Sequence, residues 1–118
     1  MSQNVEALVI SWLEGVVGES WPVSGDKPKS GTQFVLVDRT GGPRESMVMD
    51  RAEILIEVYH KTSRAGASAM ADIIADAIPE LMETESITRA RVNSVVNLDD
   101  TLAQYHRYQI YVDVSNRR

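Results

Sequence analysis

Apolar residues recur along the chain with two different periods, and the order of these periods predicts the order of the secondary structure. The first stripe has spacings of three and four residues, as on one side of an α-helix; its members are Val5, Leu8, Val9, Trp12, Leu13 and Val16. Gly15 and Gly18 mark the end region of the stripe, since glycine favours helix ends. The stripe therefore predicts a first helix over residues 3–17.

A polar segment and two strand-like segments come next. Residues 18–31 hold three Gly and two Pro, which predicts a loop. Within it, Trp21 is expected to fold back onto the sheet, or alternatively to contact another chain. Residues 33–40 and 47–60 are rich in β-branched and aromatic residues and predict an antiparallel hairpin. Its polar outer part, residues 41–52, is expected to project beyond the domain.

A second helical stripe begins after Thr62 or Ser63, which are both suitable capping residues. Its apolar positions are Met70, Ile73, Ile74, Ala77, Ile78 and Leu81. Pro79 lacks a backbone N–H and clashes with the preceding turn, so the helix is expected to end or kink near Ile78.

Two further strands are predicted after this helix, over residues 87–97 and 104–115. In the first, Val92, Val95 and Val96 break the period of two, which predicts a bulge or a switch of faces. In the second, apolar and polar residues alternate strictly. A strand with one apolar and one polar face is typical of an antiparallel sheet that helices cover on one side.

These elements predict an α+β fold in the order α-β-β-α-β-β. Two helices are expected on one face of a four-stranded, mainly antiparallel sheet, in a single domain over residues 1–118. Largely buried side chains are expected at Trp12, Ile56, Met70, Ile74 and Ile110.

Composition and charge exclude several classes of function. The chain has no cysteine, which excludes disulfides, thiolate catalysis and cysteine zinc sites. Its formal net charge of −5 argues against general binding to nucleic acid. No membrane span or secretory signal is predicted. The local basic groups are interpreted as solvated surface, with an acidic partner as the alternative; they are Lys27/Lys29, Arg39/Arg44/Arg51 and Arg89/Arg91.

Candidate chemistry is sparse. His60 and His106 are too few to predict a zinc site, which usually takes three or four protein ligands. Asp99 and Asp100 are adjacent and fall in a predicted turn, so they are expected to serve that turn rather than a paired-carboxylate site. No nucleophile elbow, dinucleotide fingerprint or P-loop occurs. Neither an enzyme nor a cofactor is predicted.

Four segments resemble the tail terminator (tail completion) proteins of long-tailed bacteriophages, in particular those of phages and prophages of actinobacteria. They are FVLVDRTGG at 34–42, DRAEILIEVY at 50–59, ASAMADIIADAI at 67–78 and RYQIYVDV at 107–114. The resemblance covers nearly the whole chain, and its segments are packing and turn patterns rather than chemical signatures. It implies a small α+β domain without catalysis or cofactor, located in the virion at the head–tail junction and in the host cytoplasm during assembly.

The resemblance also implies partners. The expected assembly is a homo-hexameric ring that stops growth of the tail tube and offers a docking surface to the head connector protein. No specific nucleic-acid sequence and no membrane is expected as a partner. The candidate ring or tube interface lies on the hairpin, at Arg39, Gly41, Gly42, Pro43, Arg44 and Arg51, with the small-residue face of the second helix as a further contact surface. The alternatives are another neck or head-closure protein, or a small ligand-binding domain or enzyme.

Overall fold

Two helices and five strands make up the regular structure, which a computed structural model describes for residues 5–28, 31–41, 49–84 and 86–117, with the backbone alone at 49, 50 and 117. The helices are α1 (Val5–Val17) and α2 (Arg64–Ala77), and a 3₁₀ helix (Ile78–Glu83) follows α2. The strands are β1 (Val23–Ser24), β2 (Gln33–Gly41), β3 (Met49–His60), β4 (Ile87–Asn97) and β5 (His106–Arg117). They form one sheet in the order β1-β2-β3-β5-β4, so the predicted α+β class is confirmed.

The predicted number and order of strands is wrong, because the sheet has a fifth strand. β1 lies inside the predicted loop and pairs parallel with β2, through Val23 with Val35 and Ser24 with Leu36. The pairing extends to the carbonyl of Pro22, which accepts a hydrogen bond from the Val35 N–H at 2.8 Å. A strand of two residues is too short to display a period of two, which is why the sequence pattern missed it. The element order is therefore α-β-β-β-α-β-β, and the sheet is mixed.

The long strands carry the predicted alternation. Their inward side chains form one core with both helices; in β3 and β5 these are Ala52, Ile54, Ile56, Val58, Ile110, Val112 and Val114. This side of the sheet, which the helices cover, is the inner face. The bulge predicted in β4 is confirmed, since the register with β5 shifts between Val92 and Ser94.

The buried side chains of the helices agree only in part with the apolar stripes of the sequence. The fully inward line of α1 is Val5, Val9, Leu13 and Val17, whereas Trp12 lies at the margin of that line and is only partly buried. Met70 of α2 is likewise partly buried, so the expectation of large burial was too strong for these two side chains. Ile56, Ile74 and Ile110 are fully buried as expected. Trp21 packs against the same core, as predicted.

Capping residues set the limits of α2. The Ser63 hydroxyl accepts a hydrogen bond from the Gly66 N–H at 2.8 Å, which satisfies a donor of the first turn. Pro79 lies at the start of the 3₁₀ helix, so the predicted break near Ile78 is confirmed. The small residues of α2 divide between two sides: Ala67 and Ala71 are buried against the sheet, and Ala65 and Ala69 are exposed.

The turn before β5 delays the start of that strand. Residues 104 and 105 were predicted as strand, but Gln104 has a φ of 61° in the left-handed region. Tyr105 makes an isolated bridge with Asp100 instead. The regular strand begins at His106.

Candidate functional site

The sheet has a second face, here called the outer face, on which no helix of the described residues packs. Its residues alternate with those of the inner face along β3 and β5. Directly paired residues share a face, so Tyr59 lies beside Arg107 at one end, and Arg51 beside Ser115 at the other. Because the helices cover the inner face, the outer face is a surface that the fold leaves for partners or ligands.

A hydrogen-bonded ladder of polar side chains crosses the middle of the outer face. The Gln109 amide donates to Glu57 at 3.0 Å and accepts from the Tyr111 hydroxyl at 3.4 Å. The Arg107 guanidinium lies 3.5 Å from the same Glu57 carboxylate and donates to the Tyr59 hydroxyl at 3.3 Å. Gln109 is buried although no helix covers it, because its neighbours enclose it. The ladder holds these side chains in fixed orientations and leaves few of their groups available to a ligand.

One end of the outer face is closed by an aromatic cluster of Phe34, Tyr59 and Tyr105. The Phe34 and Tyr59 rings stack at 4.7 Å between centroids, and Tyr105 meets Phe34 edge-on at 5.4 Å. The Lys27 ammonium lies 5.5 Å from the ring centroids of both Tyr59 and Tyr105, within range of a cation–π interaction. Phe34 and Tyr59 are buried as deeply as core residues. The cluster is thus a second, small core on the opposite side of the sheet from the first.

Two aspartates fasten the turn that supplies Tyr105. Asp99 accepts hydrogen bonds from the Arg107 backbone N–H at 3.2 Å and from Arg64 at 2.9 Å. The bond from the Arg107 N–H is the main reason that the pKa of Asp99 is lowered to about 2. Asp100 accepts from the Ala103 N–H, which lowers its pKa, and pairs with Lys27 at 3.2 Å. Both carboxylates therefore serve the turn, as predicted.

The other end of the outer face is open and rich in arginine. A groove of about 370 Å³ is lined by residues of β3, β4 and β5, including Arg51, Arg89, Arg91, Glu53 and Asp113. It is called the arginine groove here. Arg91 and Asp113 approach to 4.0 Å with side chains 63% and 39% exposed, so this ion pair is weak. Carboxylates and phosphates are the groups that guanidinium side chains bind best.

The predicted interface residues fall into three groups. Arg51 lines the arginine groove. Arg39 lies nearby, but its guanidinium donates to the main-chain carbonyls of Gly41 at 3.5 Å and Arg51 at 3.3 Å, so it braces the base of the hairpin. Gly41 is exposed at the end of β2, and Gly42, Pro43 and Arg44 lie outside the described residues. The predicted projection 41–52 is wrong for its last four residues: 49–52 pair with β5 inside the sheet, and Ala52 is buried in the core. The rest of that projection, 42–48, also lies outside the described residues.

The sequence indicates Arg89 and Arg91 as a local basic group, but it does not predict that they join Arg51 in one groove. The expectation for them is solvated surface, with an acidic partner as the alternative. The pairing of β4 with β5, which places Arg91 opposite Asp113 and Arg89 opposite Ser115, is not visible in the local pattern. Two arginines at alternate positions of a strand were the available signal, since such residues share a face.

The histidines have structural surroundings. Nδ1 of His60 accepts hydrogen bonds from the N–H groups of Thr62 and Ser63, at 3.2 and 3.0 Å. His106 Nδ1 lies 3.7 Å from the Asp99 carboxylate. Among the described residues, no group of three or more His, Cys, Asp or Glu side chains is arranged to hold a metal ion.

Comparison with known proteins adds no family to these observations. No protein-family model matches the chain, and no curated protein is significantly similar to it in sequence. Within the described part of the chain, none of the helices has the length and apolar character needed to cross a membrane.

Proposed function

We propose that this chain is a tail terminator of a long-tailed bacteriophage: a structural protein that forms a hexameric ring at the head-proximal end of the tail tube. The observation that carries the proposal is the resemblance of four segments, which correspond largely to β2, β3, α2 and β5. An α+β domain with two helices on one side of its sheet is compatible with that resemblance.

The proposed mechanism is surface complementarity. Tube subunits add to a growing end because that end always presents the same unsatisfied surface. A ring that matches this surface on one side, and offers a different surface on the other, removes the template for further addition. The head connector protein then binds the new surface.

The outer face supports a role in binding rather than catalysis. Its central side chains are tied into the polar ladder, and its open end offers charged groups to a macromolecular surface. The proposal involves no cofactor and no chemical step. It places the protein in the virion at the head–tail junction, after assembly in the host cytoplasm.

The test is a phage that carries a stop codon in place of Gln33. In a non-suppressing host it should make tubes of uncontrolled length that fail to join filled heads. In a suppressing host the same phage should make normal virions, which controls for effects on neighbouring genes. Electron micrographs of the lysates report tube length and head attachment.

Two other outcomes would count against the proposal. Tails of normal length that join heads would refute it. Tails of normal length that do not join heads would instead favour another neck or head-closure protein.

A further inference from the structure

A row of carboxylates runs along the side of α2 and the 3₁₀ helix that faces away from the sheet. Its members, Asp72, Asp76, Glu80 and Glu83, are spaced four, four and three residues apart, and all are exposed. This row is called the acidic stripe here. None of the four carboxylates makes an ion pair or side-chain hydrogen bond with a residue that the structure describes. Residues 65–88 include no Lys or Arg, so no basic neighbour in sequence balances the charge.

The acidic stripe is unfavourable for an isolated molecule. Like charges four residues apart on a helix repel each other and destabilise it. Asp76 also lies near the C-terminal end of α2, where the helix dipole is negative and disfavours a carboxylate. A partner with positive charge would remove both penalties.

The arginine groove lies on the opposite side of the molecule from the acidic stripe. α2 packs on the inner face of the sheet through Ala67, Ala71 and Ile74, so the stripe points away from that face. Arg89 and Arg91 line the groove on the outer face. One molecule cannot bring these two surfaces together, but two molecules can.

We infer that the arginine groove of one copy of this chain receives the acidic stripe of the next copy. This inference rests on the ring in the proposed function and identifies its contact surfaces. Carboxylates of the stripe bind the guanidinium groups of Arg89 and Arg91. Arg91 then exchanges two exposed contacts for this one: the 4.0 Å ion pair with Asp113 and the hydrogen bond that it donates to the Asn93 side chain at 3.4 Å. Ile73 and Met82 beside the stripe are 50% and 47% exposed, and they add apolar surface to the contact.

Charge complementarity between opposite sides selects a head-to-tail arrangement. A two-fold dimer brings the same surface of both copies together, which here would place arginine against arginine or carboxylate against carboxylate. A head-to-tail contact instead joins unlike surfaces, and such contacts close into rings when the rotation between neighbours permits. DNA is a poorer occupant for the groove, since the whole chain carries a net charge of −5.

The test exchanges the charges of the two surfaces. The groove variant is Arg89→Glu with Arg91→Glu, and the stripe variant is Asp72→Lys with Asp76→Lys. Sedimentation velocity over a range of concentrations at low salt should show that the parent chain self-associates and that each variant alone does so at least about tenfold more weakly. About 1 M salt should also weaken the parent, because it screens exposed charges.

Complementation is the decisive measurement. A one-to-one mixture of the groove and stripe variants should recover association, because each glutamate groove meets a lysine stripe and each native groove meets a native stripe. Copies then alternate, which suits a ring with an even number of members. The chain with all four changes should recover as well. Glu14→Lys with Glu19→Lys, which reverses two exposed charges elsewhere, is the matched control and should associate like the parent.

Three results would overturn the inference: a parent that stays monomeric at every concentration, variants that associate like the parent, and a mixture of variants that does not recover. The last would point to an acidic partner other than a second copy. The proposed function is tested separately by tail length with the stop codon. If a phage with the groove variant made normal rings and tails of normal length, the inferred interface would be refuted. The proposed role as a tail terminator would still stand.

Discussion

The two ends of the outer face lie on the same strands but have opposite characters. At one end, Phe34 and Tyr59 are 1% and 3% exposed beneath Lys27 and Tyr105. At the other end, Arg51 and Arg89 are exposed beside an open groove. The pairing of β3 with β5 is regular from one end to the other. The difference therefore comes from what the connections bring across the sheet.

This comparison shows that a sheet face without a helix layer can stabilise the fold at one end and remain open to partners at the other. The turn between β4 and β5 and the segment around Lys27 cover the aromatic end, and Asp99 and Asp100 fasten that cover. No described connection covers the arginine end. Substitutions at the aromatic end should therefore change the free energy of unfolding, whereas those at the arginine end should change association.

The largest effect on stability is expected for Phe34→Ala. Truncating a fully buried phenylalanine removes its packing and leaves a cavity, which typically costs about 3–5 kcal/mol. The free energy of unfolding from urea titration would measure it. Phe34→Leu retains most of the volume and should cost clearly less. A loss below about 1 kcal/mol for the alanine variant would show that the aromatic cluster is not a second core.

The next largest effect is expected for Asp99→Asn, with a dependence on pH. The carboxylate is hydrogen-bonded by charged and backbone donors, and its loss should cost about 1–2 kcal/mol at neutral pH. Its pKa is lowered from 3.8 to about 2 in the folded chain. The stabilisation is therefore present above about pH 4 and is lost as the pH falls towards 2.

Urea midpoints of the parent and of Asp99→Asn, measured between neutral pH and pH 2, should thus converge in acid. Asp38→Asn changes another carboxylate of the outer face, which makes no ion pair with a described residue, and is the matched control. A gap between parent and Asp99→Asn that stays constant down to pH 2 would contradict the role given to the carboxylate charge.

A smaller effect is expected for Tyr105→Phe. The hydroxyl donates to the Gly31 carbonyl at 2.8 Å, and a partly exposed hydrogen bond contributes about 0.5–1 kcal/mol. The ring contacts with Phe34 and Tyr59 remain in this variant. Thermal unfolding of Tyr105→Phe and Tyr105→Ala would separate the contribution of the hydroxyl to stability from that of the ring. If both substitutions lowered the melting temperature equally, the result would be inconsistent with a packed aromatic end.

The smallest effect on stability is expected for Arg89→Ala and Arg91→Ala. Exposed side chains without strong partners usually change the free energy of unfolding by no more than about 0.5 kcal/mol. Urea titration of both variants checks this, with Phe34→Ala as the sensitive reference. If either substitution lowered the free energy of unfolding by about 2 kcal/mol, the arginine side chain would contribute to the folded structure. The two ends of the outer face would then not differ in the way described.

Much of the fold follows from local periodicity. A buried face is visible in the sequence because side chains of a helix or strand return to the same side at a fixed spacing. Examples are the line Val5, Val9 and Leu13 in α1 and the alternate residues Ile54 and Ile56 in β3. The bulge at Val92 was visible as a break in that spacing. β1 was not visible, because two residues cannot show a period.

The candidate site was less predictable, for a physical reason. Phe34 and Tyr59 are brought together by strand pairing, and Tyr105 and Lys27 reach them from the two connections. Arg51 and Arg89 likewise come from strands on either side of β5. Such groupings depend on which strands are neighbours, and residue spacing within a segment carries no information about that.

The position of β5 in the sheet has a consequence for how the protein is made. β5 is the last of the described strands along the chain, yet it lies between β3 and β4. Among these described strands it is the only one that pairs with β4. A ribosome therefore releases β3 with one edge unpaired, and β4 with no partner, until residues 106–117 have emerged. Unpaired edges of this kind invite contact with other chains during synthesis. The rate at which β5 is translated should then influence the yield of folded protein without altering the stability of the molecules that succeed.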